Sequence, residues 1–365
     1  MASIAKRPDG RWRARYRDPS GKEHAKHFDR KIDAQRWLDE TTAAVVTGQY
    51  VDPRAGKVKF GDYARSWQVA QIHRRNTALA VDSALRVHAI PAFGSRPIAS
   101  IRPSEVQGFV RRLSESLEPS TVRIIYQHMR SVFRAAEGDR LIPRTPCERI
   151  ALPRVERSII TPLSTEIVLA LTAAMPRHLQ AMVMLMASTG LRPGEAAGLT
   201  VDRVDFLRRT LRVDRQLVQT RPPSFGPPKT NASYRTVPVP QVAVDAMAEH
   251  LVEHPVVKNG LIFCQRDGRA LNRDKVSICF RAALLAVGAP EGTRLHDLRH
   301  YYASLLIRHG ESVKVVQARL GHASAKETLD TYSHLWPDSE DLTRSAVDCV
   351  LGAAVADSLR TVATT

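Results

Sequence analysis

A chain of 365 residues, 43% apolar and 25% charged, has the length of two or three domains and the composition of a globular protein rather than a disordered one. Its 54 basic against 37 acidic residues give a formal charge of +17, most of it before residue 160, and such an excess favours a polyanionic partner, nucleic acid or an anionic membrane surface. No run reaches the roughly 18 apolar residues of a membrane span, no apolar stretch follows the basic N-terminus as in a secretory signal, and four cysteines without disulfide or zinc spacing suit a reducing cytosol.

The first segment reads as a small sheet and a helix. Arg11 to Arg17 alternates strictly, with Arg11, Arg13, Arg15 and Arg17 on one face and Trp12, Ala14 and Tyr16 on the other. No acid is interleaved along that strand, so its cationic face is expected to meet DNA rather than merely to blunt a sheet edge. The turn signal Asp18-Pro19-Ser20-Gly21 leads to a second strand, Lys22 to Phe28. From Asp29, the spacing of Ala34, Trp37, Leu38, Thr41 and Val45 predicts a helix covering the aromatic face.

Gly48 to Lys59 reads as a linker, and four amphipathic helices follow. One spans roughly Phe60 to Val69. The next follows Asn76-Thr77 and carries Leu79, Ala84, Leu85 and Val87. A third has Ser104 suited to its N-cap and Val106, Phe109, Val110 and Leu113 on one side. A fourth opens at Pro119, with Val122, Ile125, Met129, Val132 and Phe133 apolar and Arg123, Arg130 and Arg134 on its polar side. Leu141 to Arg157, with three prolines, reads as a second linker.

Beyond residue 160 the pattern is mixed. Helices are expected over Ser164 to Met175 and His178 to Thr189, and two short strand-like runs within Val201 to Val213. Leu217 to Pro240 reads as one hairpin with a Pro- and Gly-rich loop and Lys229 near its return. Further helices are expected over Val242 to His254, Lys275 to Val287, His296 to His309, Val313 to Leu320 and Thr328 to Leu335, with an amphipathic stretch near Val347 to Leu359 in the tail.

Several polar motifs stand in this last part. Thr189-Gly190-Leu191-Arg192-Pro193-Gly194-Glu195 closes one helix with Gly and opens another after Pro, which puts Arg192 at a helix N-terminus where anions bind. Taken alone, Arg192 would more simply be a surface partner of Glu195. His296 and Arg299, three apart, share a helix face. In Leu320-Gly321-His322 the glycine suits a C-terminal cap, and Tyr332 follows ten residues later. Tyr301 and Tyr302 read as core residues, Tyr234 belongs to the hairpin, and His300 and His334 read as supports of the fold or site.

The ordered set resembles the tyrosine site-specific recombinases, specifically the phage-type integrases. Their pattern is an Arg in a T-G-x-R-x-x-E context, a hairpin Lys, H-x-x-R, L-G-H, and a Tyr about ten residues on. Here these are Arg192 with Glu195, Lys229, His296 and Arg299, His322, and Tyr332.

The resemblance implies a multidomain protein, mainly α with small β-sheets. Residues 1–55 would form an arm-type DNA-binding domain (a three-stranded sheet plus a helix), 57–150 a helical core-binding bundle, and 160–365 an α+β catalytic domain with a C-terminal tail. It further implies double-stranded DNA as substrate, at attachment core and arm sites, and a homotetramer on DNA. A host DNA-bending factor and an excisionase would be partners, with no cofactor, no metal and no membrane, in the cytoplasm of a bacterial host.

The chemistry accounts for the residue types. Two guanidiniums can clamp the equatorial oxygens of a phosphodiester bidentately; imidazoles can donate to the same phosphate or move a proton. A phenol needs such help to attack at neutral pH. In the family the tyrosine becomes linked to a DNA 3′-phosphate, and the lysine protonates the departing 5′-hydroxyl. A recombinase that resolves chromosome dimers or plasmids, or a type IB topoisomerase, would share this site, although the basic segment before residue 55 argues against the first. A non-enzymatic DNA-binding descendant would be expected to have lost part of the set.

Overall fold

A computed structural model describes residues 2–18, 21–46, 52, 55–155, 160–218, 220, 223–256, 260–336, 344–345 and 347–352. The chain divides into two compact units between residues 157 and 158.

The first unit holds two separate apolar cores. Strands β1 (Ser3–Lys6), β2 (Trp12–Arg17) and β3 (Glu23–Phe28) form an antiparallel sheet in that order, and helix α1 (Lys31–Val46) packs on it. Ala14 and Tyr16 of β2 are buried against Ala34 and Leu38 of the helix, flanked by Trp12, Phe28 and Trp37, as the strand's alternation requires. The strand pairing changes the reading of the arginine face. Register sets Arg17 opposite Glu23, whose carboxylate lies 3.7, 3.8 and 3.9 Å from Arg13, Arg15 and Arg17. The expectation of a face without an acid therefore fails, because a cross-strand partner is invisible along a single strand.

The second core belongs to helices α2 (Phe60–Ala70), α3 (Arg75–Ser83), α4 (Ile90–Phe93), α5 (Pro103–Ser114) and α6 (Pro119–Gly138). Helices α3 and α4 are one continuous rod joined by a wider π-helical turn, Ala84–Ala89. Pro91 lies just beyond this turn and has no N–H to continue the regular ladder. Ser104 is not the cap of α5: Pro103 takes the first helical position, and the Arg102 main-chain N–H donates to Glu105 (3.0 Å).

Both expected linkers are packed where they are described. Gly56, in a turn over Ala55–Lys57, is buried, and a Cβ there would meet the Ala99 methyl at 2.5 Å. Ile142, Thr145 and Cys147 are buried, and the Tyr126 hydroxyl donates to the Cys147 carbonyl (2.7 Å). Gln107 bonds both main-chain groups of Ala151. Side chains here satisfy the backbone in place of a periodic ladder, so no periodicity marks the segment.

The second unit is built around α8 (Arg177–Thr189), whose Leu179, Met182, Val183, Leu185 and Met186 are buried. It packs against α7 (Thr165–Ala174), the short α9 (Pro193–Ala197), α10 (Gln241–Glu253) and α12 (Asp297–Arg308), while α11 (Arg273–Ala286) packs on α7. The expected single hairpin over 217–240 is two pieces. Strands β6 (Gln216–Val218) and β7 (Ser224–Gly226) pair with each other, whereas β8 (Arg235–Pro238) joins β5 (Thr210–Val213) in the order β4 (Val204–Asp205), β5, β8. Leu211 and Val213 on β5 and Val237 on β8 are buried in the core, which outweighs local pairing.

Helix α13 (Val313–Leu320) ends at Gly321 in the left-handed conformation. Helix α14 (Ala325–Tyr332) starts three residues before the expected point, because Ser324 accepts from the Glu327 N–H and caps it. Of the amphipathic stretch near Val347 to Leu359, a π-helical turn at Asp348–Gly352 is described; residues 353–359 lie outside the described residues.

Candidate active site

Five helix ends build the site. Gly190 closes α8 with φ +65°, and a Cβ there would run into the Tyr302 ring. Two residues later Arg192 caps α9. Its N–H donates to Glu195 (3.0 Å), and its guanidinium donates to Glu195 (3.0 Å), the Ser233 hydroxyl (3.1 Å) and the Gly321 carbonyl (3.3 Å). Arg299, on the first turn of α12, is 1% exposed and donates to the Gly190 carbonyl (2.8 Å) and the Leu320 carbonyl (2.6 Å). The two guanidiniums thus bond to consecutive carbonyls at the end of α13, and His322 is the next residue. The His322 Nδ1 lies 2.9 Å from the Thr328 hydroxyl. The Tyr332 ring, at the end of α14, stands parallel to the His322 ring with centroids 6.4 Å apart. His296 caps α12 from a solvent-open position, its ring edge-on to His300 at 5.1 Å.

Lys229 is exposed and follows β7. It immediately precedes Thr230, whose hydroxyl pairs with Ser233 (3.0 Å), and Ser233 in turn takes the Arg192 guanidinium. The structure therefore brings Arg192, Arg299, His322 and Tyr332 together directly, sets His296 beside them through His300, and ties Lys229's segment to Arg192.

Electrostatics follow from burial among cations. Burial pulls His322 down to about 3, helped by Arg299, Arg192 and Arg235. His296 is also lowered, by desolvation of its ring and then by His300, Arg299 and Arg192. Both imidazoles are neutral at pH 7 and can each donate one hydrogen bond. Burial pushes Tyr332 up to about 12 against the pull of Arg299 and Arg192. Burial raises the Glu195 carboxyl as well, but Arg235 and Arg192 outweigh it and hold it low.

Sequence reasoning passed over Arg235 and the role of His300. Arg235, half-buried as a residue but with its side chain enclosed, pairs with Glu195 (2.9 Å) and donates to the Arg319 carbonyl (2.8 Å), locking β8 to α13. Nothing local distinguishes it from other strand arginines. His300, expected as a support of the fold or site, has its Nδ1 2.7 Å from the Tyr332 hydroxyl; its spacing of four from His296 is the signal that the sequence offers. Tyr301 and Tyr302 are buried, and Tyr234 is exposed.

The arginines singled out for DNA contact lie in the first unit. Arg11 pairs with Asp29 (3.3 Å), and the exposed Arg123 donates to the Pro153 carbonyl (3.2 Å). Arg130 is half-buried with its Nε enclosed and unpartnered. Among the described residues, one group offers metal-ligand types at close range, Asp18, His24 and Asp52, with donor atoms within 4.8 Å of one another. Asp18 is already engaged there, bonding His24 (2.8 Å) and the Lys22 N–H (3.0 Å) across the hairpin.

The half-buried Arg192, the buried Arg299, neutral imidazoles and a phenol, held on helix ends, are groups of the kind that phosphoryl transfer uses. Comparisons with known proteins agree. Residues 162–338 match the phage integrase family, 60–152 the phage integrase central domain, and 2–47 the phage integrase N-terminal domain. A putative prophage phiRv2 integrase of Mycobacterium tuberculosis is 28% identical over 338 residues, covering 89% of each chain. Among solved structures, the Tn1549 transposon integrase in complex with a circular intermediate DNA aligns with a TM-score of 0.69 at 20% identity, covering 80% of this chain and 99% of that one. A lambda integrase tetramer bound to a Holliday junction aligns at 0.58 and 18%, covering 89% and 96%. The chain belongs to the phage integrase family of tyrosine recombinases, and it is a site-specific DNA recombinase. Among the described residues no helix is long and apolar enough to cross a membrane.

Proposed function

We propose that Arg192, Lys229, His296, Arg299, His322 and Tyr332 carry out strand transfer on attachment-site DNA. The observation that supports this most is the meeting of the Arg192 and Arg299 guanidiniums on the carbonyls of Gly321 and Leu320, next in the chain to His322, whose ring lies parallel to that of Tyr332. A guanidinium has five N–H donors. Arg299 spends two on carbonyls and Arg192 three on its neighbours, so both retain donors for the non-bridging oxygens of one phosphate.

In this reading the Tyr332 oxygen attacks phosphorus, the bond to the 5′-oxygen breaks, and Lys229 protonates that oxygen. The arginines hold the charge that builds on the equatorial oxygens, and His296 and His322 donate to them as neutral imidazoles. The 3′-phosphotyrosyl bond keeps the energy of the broken diester, and the 5′-hydroxyl of a second strand reverses the step. Four copies on two duplexes would exchange strands in pairs, as the lambda integrase tetramer on a Holliday junction suggests. Arg11, Arg13, Arg15 and Arg17 would contact arm sites, and Arg123 and Arg130 the core site, with a host DNA-bending factor and an excisionase setting direction.

The test uses a nicked duplex built from the sequence bordering the chain's own gene. The wild-type chain is expected to form a covalent adduct on it, and Tyr332→Phe to form none while binding the same duplex. An adduct that persists in Tyr332→Phe would assign the nucleophile elsewhere.

A further inference from the structure

We propose that His300 is a catalytic residue: its Nδ1 accepts the Tyr332 hydroxyl proton as that oxygen attacks the DNA. The inference rests on Tyr332 being the nucleophile and adds the group that activates it. His300 Nδ1 and the Tyr332 hydroxyl are 2.7 Å apart, with ring centroids 5.5 Å apart and planes at 63°. This contact joins α12 to α14, so it is not a consequence of local spacing. Among the described residues it is the hydrogen bond that engages the Tyr332 hydroxyl, and the phenol is 1% exposed, shielded from bulk water as an acceptor.

The tautomer follows. With Nδ1 as acceptor, the imidazole proton sits on Nε2, and on that side the Asp297 carboxylate lies at 3.9 Å. Asp297 is held by the Arg294 N–H (2.7 Å), so a fixed negative charge stands behind the ring that becomes cationic on taking the proton. The titratable and charged groups facing His300 are His296, Asp297 and Arg299 on its own helix and Tyr332 from α14. Burial and Arg299 lower its pKa and Asp297 opposes them, leaving it neutral and able to accept at pH 7. Among the described residues neither His296 nor His322 bonds the phenol; His322 is turned to Thr328 through Nδ1. The proton moves from Tyr332 to Nδ1 as the oxygen–phosphorus bond forms, and the departing 5′-oxygen takes its proton from Lys229.

The test measures single-turnover adduct formation by the full chain on the nicked duplex, from pH 7 to 9, for wild type, His300→Asn and His300→Ala. Asn keeps an oxygen near the Nδ1 position but cannot take a proton. Both variants are expected to react about 100-fold more slowly at pH 7 with DNA binding retained. Wild type should be nearly flat over this range. The variants should gain about tenfold per pH unit, since the phenol, held up at about 12, must then ionise unaided. Placing 3,5-difluorotyrosine at position 332, a phenol that ionises at lower pH, should restore most of the rate to His300→Asn. Variants within threefold of wild type, or slower variants with a flat pH profile and no fluorotyrosine rescue, would overturn the proposal. A wild-type adduct mapped to Tyr332 in the same experiment keeps the underlying functional reading intact in either case.

Discussion

Gly321 serves three purposes at one position. Its φ of +65° ends α13, its carbonyl receives Arg192, and its missing side chain leaves room for the Ala232 carbonyl at 2.9 Å and Arg235 at 3.1 Å from where a Cβ would stand. Gly321→Ala is expected to cost about 1–2 kcal/mol for the left-handed backbone and also to cut DNA cleavage at least tenfold by displacing Arg235. Gly310→Ala is the control, because its φ is +82° with nothing within 4 Å; it should lose comparable stability and keep cleavage. Equal cleavage losses in folded samples of both would disprove the positional role. His322 provides a pH test. Its imidazole protonates near pH 6.5 in the unfolded chain but near 3 in the folded one. Between those values the unfolded state binds the extra proton, so stability falls as pH falls, by up to on the order of 1 kcal/mol per unit. Thermal unfolding from pH 7 to 4 should show a shallower decline in His322→Asn than in wild type; parallel curves would contradict the assignment. At this scale the chemistry-bearing types were legible because their order along the chain is distinctive. Arg235 and the His300 contact were not, because each depends on a partner from a distant element.

At the scale of elements, periodic helices were legible and irregular packed segments were not. Helices α2, α5 and α6 announce themselves by apolar spacing, since each buries one stripe. Residues 141–152 carry no such period, yet Ile142 and Cys147 are buried and Tyr126 reaches across to a main-chain oxygen. Tyr126→Phe should cost about 1–2 kcal/mol by leaving that buried carbonyl unpaired. Chemical denaturation of the full chain reads this directly, and an unchanged midpoint would show the segment to be only loosely attached. The β8 strand teaches a related lesson. Its pairing with β5 rather than with β6 is decided by where Leu211, Val213 and Val237 are buried, a tertiary fact that no turn signal between residues 217 and 240 could convey.

For the whole molecule, a charge of +17 is the property most visible in composition and the one that speaks to DNA. Affinity for duplex DNA should fall with a log–log salt slope of about −0.9 per neutralised phosphate, so that roughly six phosphate contacts lose about a thousandfold between 50 and 200 mM salt. A salt-insensitive affinity in a filter-binding or anisotropy titration would contradict this. In the proposed reaction Arg192 neutralises the very phosphate that Tyr332 attacks. This is tested most directly with Arg192→Ala on two nicked duplexes, one with an ordinary scissile phosphate and one with an uncharged methylphosphonate in its place. The variant should be nearly inactive on the first and regain a Tyr332 adduct on the second, where no charge needs a clamp. Equal failure on both duplexes, with wild type active on the first and DNA still bound, would contradict it.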